Sequence, residues 1–183
     1  MYRKCEAYLS ATQFGFRSGF GTREALFGVN VFAQRCRDMS VDMYACFIDF
    51  RKAFDRVRHE TLIQILVDIG LDARDIRIIE NLYWKQAAVV CIDGTETTAL
   101  NIKRGVRQGC ILSPVLFNIY SEMIFRKALS DKQEGIMVNG EVINTIRYAD
   151  DTVLIASSRE DLQSLLDCVV AKCEEAGLDF KIS

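Results

Sequence analysis

Much of what punctuates or staples a protein chain is missing here. Of 183 residues only one is proline, Pro114, and only one is histidine, His59. A proline-rich linker is therefore excluded, and no internal repeat or low-complexity tract divides the sequence, so one compact domain is expected. The seven cysteines stand at 5, 36, 46, 91, 110, 168 and 173, and no two form a C-x-x-C pair. With a single histidine, and with "HETLI" (59–63) failing H-E-x-x-H, no zinc-ligand spacing remains. Most of the cysteines sit among apolar residues and read as small core fillers in a reducing compartment. No apolar run reaches the roughly 18 residues a membrane span needs. "MYRKCEAYLS" lacks the apolar h-region of a secretory signal, so the chain is expected inside the cell. An excess of basic charge is missing too. Lys and Arg total 23 against 25 Asp and Glu, for a net charge of −2. That balance counts against a generic nucleic-acid surface and leaves only local patches, "RKAFDRVRH" (51–59) and "KRGVRQG" (103–109). Phosphate-loop and dinucleotide enzymes are poorly supported. No G-x-x-x-x-G-K-[ST] occurs, and "GFGTRE" (19–24) breaks off before a G-x-G-x-x-G is complete.

What is present suits a folded core, with 50% hydrophobic and 26% charged residues. From Thr22, apolar residues at 25, 26, 29, 32, 33 and 36 predict a helix. "MYACFID" (43–49) reads as a strand. A second helix is expected from about residue 51 to Gly70, with Phe54, Val57, Leu62, Ile65, Leu66 and Ile69 on one face. A short helix over 73–84 and a hairpin around Gly94 follow. A third long helix is expected over 113–129, and Asn139-Gly140 signals a two-residue hairpin. Ser158 and Asp161 resemble a capping box. The helix behind them, apolar from Leu162 to Cys173, ends at Gly177 before the strand "LDFKI". The order predicts an α+β fold, helices packed on one face of a mainly antiparallel sheet.

Within this pattern "RYADDTVLIAS" (147–157) is anomalous, because two aspartates interrupt a strand-like run. One reading is an ordinary hairpin with Asp150 and Asp151 at its tip. The other is a carboxylate pair held to bind divalent metal. "CFIDFRKAFDRV" (46–57) supplies a third carboxylate, Asp49, at a strand end. Three such groups suit hard cations such as Mg²⁺, and unneutralised they would raise one another's pKa. Asp49 could equally cap the helix that follows. Asp55 is expected to pair with Arg51 or Arg58 or to face solvent.

Three blocks in order, "FIDFRKAFDRVRH", "GVRQGCILSPVLFNIY" and "YADD", resemble motifs A, B and C of a reverse transcriptase, closest in wording to the non-LTR (LINE-type) retrotransposon enzymes. "QFGFRSGFGTREAL" (13–26) resembles the segment before motif A, and "AGLDFKIS" (176–183) the start of motif D. The resemblance implies a polymerase palm that copies an RNA template, extending a DNA primer with deoxynucleoside triphosphates. It implies that Asp49, Asp150 and Asp151, with the backbone carbonyl of Phe50, hold two Mg²⁺ ions, Mn²⁺ being able to substitute. Phe54 matches the bulky gate that rejects a ribonucleotide's 2′-hydroxyl, although its helical spacing also suits plain core. Gln108 and Gly109 match residues beside the incoming nucleotide, Arg107 is a candidate phosphate contact, and Tyr148 and Ala149 match positions lining the primer end. Arg17 is expected to be solvated. Residues 1–40 would be a remnant of the fingers and 41–183 the palm. The family's remaining fingers, thumb and endonuclease segments, and the lysine of motif D, would lie outside these residues, in a longer polyprotein. The family acts in the nucleus, although no clear basic localisation run is present. The competing expectation is a truncated, inactive palm that only binds nucleic acid or protein.

Overall fold

A computed structural model of the chain describes residues 1–84 and 86–181. Its elements run α1 (Tyr2–Tyr8), α2 (Thr22–Asp38), β1 (Tyr44–Phe50), a 3₁₀ turn (Ala53–Arg56), α3 (His59–Asp68) and α4 (Ala73–Tyr83). Four two-residue strands follow, β2 (Ala87–Ala88), β3 (Cys91–Ile92), β4 (Thr95–Glu96) and β5 (Leu100–Asn101). Next come α5 (Ser113–Leu129), β6 (Ile136–Val138), β7 (Glu141–Ile143), β8 (Thr145–Tyr148), β9 (Asp151–Ala156), α6 (Arg159–Ala176) and β10 (Phe180–Lys181). The expected α+β layout is observed. Of the predicted "LDFKI" strand, Phe180–Lys181 is formed and Ile182 lies outside the described residues.

The local signals act as expected at several boundaries. Pro114 lies in the first turn of α5, where its missing N–H would have no helical partner. Ser158 Oγ accepts the Asp161 N–H at 3.0 Å and starts α6. Gly177 ends that helix with φ 77°, a left-handed conformation that favours glycine. Asn139 and Gly140 both take positive φ, 52° and 86°, as a type I′ hairpin between β6 and β7 requires.

The helix expected from residue 51 to 70 is broken in two. Val57 and Arg58 are extended, with ψ of 117° and 123°. The reason is hydrogen-bond competition. The carbonyls of Phe54 and Val57 accept the N–H groups of Val106 and Gly105 at 2.9 and 2.8 Å. Their partners come from the 104–106 strip in place of a helical ladder.

The central sheet has strand order β10-β1-β9-β8, and every neighbouring pair is antiparallel. Side chains alternate across it. Ile48, Phe50, Leu154 and Ala156 enter the main core with Leu116, Phe117, Leu165 and Val169 of α5 and α6. Val153, Ile155 and Ile146 face the other way and meet Ala25 and Cys36 of α2. Helices therefore lie on both faces, where one was expected. The second face is only partly covered: Leu26 and Phe47 stay 63% and 72% exposed. No helix among the described residues is long and apolar enough to cross a membrane.

The N-terminal segment is bound into this framework. α1 packs on α5, and residues 12–14 run beside β8. The Arg147 N–H donates to Thr12 O, and the Phe14 N–H to Arg147 O, both at 2.8 Å. The Arg147 side chain is buried. Its Nη2 donates to Glu122 Oε2 at 2.6 Å, and its guanidinium lies 4.7 Å from the Phe125 ring centroid. Removing one partner of a buried ion pair strands the other charge. Glu122→Ala should cost about 3–5 kcal/mol, read as a lower denaturant midpoint.

Candidate active site

The β8–β9 hairpin closes through two residues. Tyr148 pairs with Asp151, so the loop is Ala149-Asp150, one position earlier than the Asp150-Asp151 tip expected from sequence. Asp151 is the first residue of β9. Ala149 has φ 59°, which matches the first loop position of a type II′ turn, usually a glycine. Such a conformation costs an L-residue about 1–3 kcal/mol and persists only when neighbours over-determine it. Those neighbours come from residues 13–15. The buried Gln13 accepts the Ala149 N–H at 3.0 Å and the Gly15 N–H at 2.9 Å through Oε1, and its Nε2 lies 3.4 Å from Ala149 O. Gly15 fits flush against the turn, since a Cβ there would stand 2.2 Å from Ala149 N. Asn118 Nδ2 on α5 donates to Gly15 O at 2.7 Å.

The register places the carboxylates. Phe47 pairs with Val153 and Ile48 with Thr152. One further step brings Asp49 opposite Asp151, on the face that carries Phe47 and Val153. Both aspartates line a hollow of about 400 Å³ beneath α2, together with Leu26 and Tyr148. Asp150, in the turn, lines a different cleft. The three thus straddle the hairpin tip, and the single three-carboxylate cage expected from sequence is not closed. Among the described residues no trio of His, Cys, Asp or Glu side chains is close enough to hold an ion unaided. Nor does any salt bridge among residues 1–84 and 86–180 take Asp49, Asp150 or Asp151. Burial pushes the Asp150 carboxyl above the ordinary range; its own backbone N–H opposes this, while Asp151 and Asp49 add to it. Asp49 could also have capped the following helix, but the 3₁₀ turn begins after Lys52 with no side-chain cap.

The second cleft, of about 510 Å³, draws on all three sequence blocks: Phe54, Arg107, Gln108, Gly109 and Asp150 line it, beside Phe16 and Lys52. Phe54 stacks on Phe117 with ring centroids 4.7 Å apart and 17° between planes. The 105–109 loop is laced to the Phe54 segment by the two backbone bonds from Val106 and Gly105. His59 Nε2 adds a 2.8 Å bond to Gly105 O. Gly105 needs to be glycine, with φ 94° and a would-be Cβ 3.1 Å from the Asp55 backbone. Arg107 and Gln108 are left exposed on the rim.

A sequence profile described as "Reverse transcriptase (RNA-dependent DNA polymerase)" matches residues 2–183. The chain belongs to the reverse transcriptase family. It is 32% identical over 138 residues to the retrovirus-related Pol polyprotein from type-1 retrotransposable element R2 of Nasonia vitripennis, covering 75% of this chain and 13% of that protein. It is 30% identical over 156 residues to the RNA-directed DNA polymerase from mobile element jockey of Drosophila funebris, covering 85% of this chain and 17% of that one. This supports the reading as the reverse transcriptase domain of a LINE-type element, spanning a small part of those relatives. Apo telomerase from Candida tropicalis has the same fold over 98% of this chain and 34% of its own, with TM-score 0.72 at 13% identity.

The reverse transcriptase motifs meet at one end of the sheet, although not every residue faces where the resemblance implied. The Phe50 side chain is buried edge-to-face on Phe180, 6.1 Å between centroids, so only its backbone is available to a ligand. Tyr148 is half-buried beside Phe16. Ala149, expected to line the primer end, is 3% exposed and faces Gln13 and Gly15. It shapes the turn and offers almost no surface. Asp55 faces solvent. Arg17 is not solvated: it pairs with Glu6 at 2.7 Å and donates to the carbonyls of Ser10 and Gln13, both at 2.8 Å. Sequence reasoning missed Gln13, Gly15 and Asn118 as parts of the site. The signals were a Gln-x-Gly in a segment named only by resemblance, and a lone asparagine inside the apolar run "VLFNIY".

The raised Asp150 pKa gives a signed expectation for the metal-free chain. The folded state holds that proton to higher pH than the unfolded chain. Its stabilising effect is complete at acid pH and is lost as pH rises through the folded-state pKa. Asp150→Asn removes that loss. It should raise the Tm in EDTA at pH 7, and the gain should shrink as pH falls toward ~4, in the ordinary carboxylate range.

Proposed function

We propose that this chain is the catalytic palm of an RNA-directed DNA polymerase, which joins deoxynucleoside triphosphates to the 3′-hydroxyl of a DNA primer along an RNA template. The observation that carries the reading is the cleft in which Phe54, Gln108 and Asp150 meet, one from each ordered block, with Asp49 and Asp151 on the other side of the same hairpin. Residues 41–183 supply the palm. Residues 1–40 correspond to the edge of the fingers, although they pack on the palm itself. In a longer polyprotein, the other segments would add the grip on primer and template that this mildly acidic chain lacks. Copying into a chromosomal site would place the reaction in the nucleus.

The donor set suits Mg²⁺, with Mn²⁺ able to replace it: hard carboxylate oxygens, no paired cation among residues 1–84 and 86–180, and the Phe50 carbonyl at the strand end. The open arrangement is what a cation that retains waters and substrate phosphates requires. When bound, two such ions lower the pKa of the attacking hydroxyl and offset charge on the leaving pyrophosphate. The chain's own residues do the rest. Asp49, Asp150 and Asp151 fix where the positive charge sits. Phe54, braced from behind by Phe117, fills the volume that a 2′-hydroxyl would need and offers it no hydrogen bond. Gln108 presents a carboxamide to the nucleotide at the rim, and Gly109 permits close backbone approach. Lys52 and Arg107 are exposed cations at the same cleft, placed for the triphosphate.

Primer extension tests this directly, with an RNA template, Mg²⁺ and deoxynucleotides. Any extension by the 183-residue chain, slow without the segments that grip primer and template, should be lost in Asp150→Ala; extension that survives Asp150→Ala sinks the assignment. In the same assay Phe54→Val should raise ribonucleotide incorporation relative to deoxynucleotide by about tenfold or more, since removing the ring opens space for the hydroxyl.

A further inference from the structure

We propose that Gln13 is a positioning residue for the metal-binding turn, acting through the backbone of Ala149 on the carboxylate of Asp150. The inference rests on the metal-binding reading of Asp150 given above.

Asp150 is attached to a residue in an unfavourable conformation, Ala149 at φ 59°. A turn of this kind with alanine in place of glycine relaxes unless both faces of its peptide are held. Within the hairpin, only the Tyr148–Asp151 pair brackets the loop. Gly15 packs against the turn, and the side-chain hydrogen bonds to the Ala149 backbone come from one residue, 136 positions away in sequence. The Gln13 carboxamide carries an acceptor and a donor side by side, matching the N–H and C=O of one residue as a neighbouring strand would. It is fully buried, so water cannot replace it. Its own position is fixed. The Gln13 carbonyl takes a bond from Arg17 at 2.8 Å, its backbone lies in a bridge to Arg147, and Gly15 next along is held by Asn118. The chain Arg17–Gln13–Ala149–Asp150 thus transmits the placement of a buried segment to the tip. Partners one shell behind a ligand commonly change metal affinity by ~10–100-fold when removed, because they set ligand orientation.

The test is Mn²⁺ binding to the whole 183-residue chain, followed by electron paramagnetic resonance. Each variant is measured equally far below its own Tm. Gln13→Met keeps the volume and removes the carboxamide; its Mn²⁺ affinity should fall by about tenfold or more. Val169→Ala opens a cavity in the remote α6 core and should leave the affinity unchanged, so a loss confined to Gln13→Met is not a general effect of lower stability. Wild-type affinity in Gln13→Met overturns the proposal. Asp150→Ala runs alongside: if it binds Mn²⁺ as the unsubstituted chain does, the metal reading itself has failed. That pattern differs from one in which only Gln13→Met is normal. Should Gln13→Met not fold, Asn118→Ala replaces it. That variant removes only the donor to Gly15 O and should weaken Mn²⁺ in the same direction by a smaller factor; unchanged affinity there overturns the proposal equally.

Discussion

Three aspartates at the end of one hairpin repel each other, and the structure around them is organised to hold them there. Asp49 on β1 sits opposite Asp151 on β9 by antiparallel register, and Asp150 occupies the turn that joins β8 to β9. Nothing about the strands alone would favour this. The driving force comes from elsewhere: the apolar residues of β1 and β9 are buried against α5 and α6, which fixes the register. A slip of one residue would turn Leu154 and Ala156 away from the core. Asp49 cannot leave the side of Asp151 without that loss. Burial raises the Asp150 pKa, Asp151 and Asp49 add to the rise, and divalent cations would offset both.

The same logic explains why the surrounding polar groups are buried. Arg147 belongs to the strand leading into the turn, and its side chain is neutralised in the core by Glu122. Gln13 and Asn118 are buried for backbone groups, not for each other. The 105–109 loop is laced by two backbone bonds to the segment bearing Phe54, which ties the candidate gate to the candidate nucleotide loop. A cleft assembled from three distant parts of the sequence needs such ties, because small displacements cost large factors in rate.

How much of this was legible depended on whether the signal was local. α6 was readable because Leu162, Leu165, Leu166 and Val169 repeat with helical spacing and Ser158 and Gly177 mark its ends. The Asn139-Gly140 turn was readable because few residues accept positive φ. The motif blocks identified the family, and they also gave the residues that meet at the hairpin. Failures occurred where tertiary contacts override local preference. The pattern from Phe54 to Ile69 fits one helix, yet a strip of chain fifty residues on claims two of its carbonyls. The turn slipped by one position because alanine at positive φ has no sequence signature; Gln13 and Gly15, which make it tolerable, are remote. Arg17 looked solvated because Glu6 and the carbonyls of Ser10 and Gln13 become its partners only once the N-terminal segment is folded.

The contact between Gln13 and Ala149 also sets an order of events. During synthesis at roughly 5–20 residues per second, the 136-residue gap between them takes on the order of ten seconds to cross. Throughout that interval the Gln13 carboxamide lacks its Ala149 partner, and β1 has neither β9 nor β10 beside it. The turn is thus completed only once the segment through β9 has been made. A ribosome that stalls before residue 149 releases a product with one of the three aspartates and no hairpin to seat it. Truncation before residue 149 therefore leaves Asp49 without the carboxylates that the hairpin supplies.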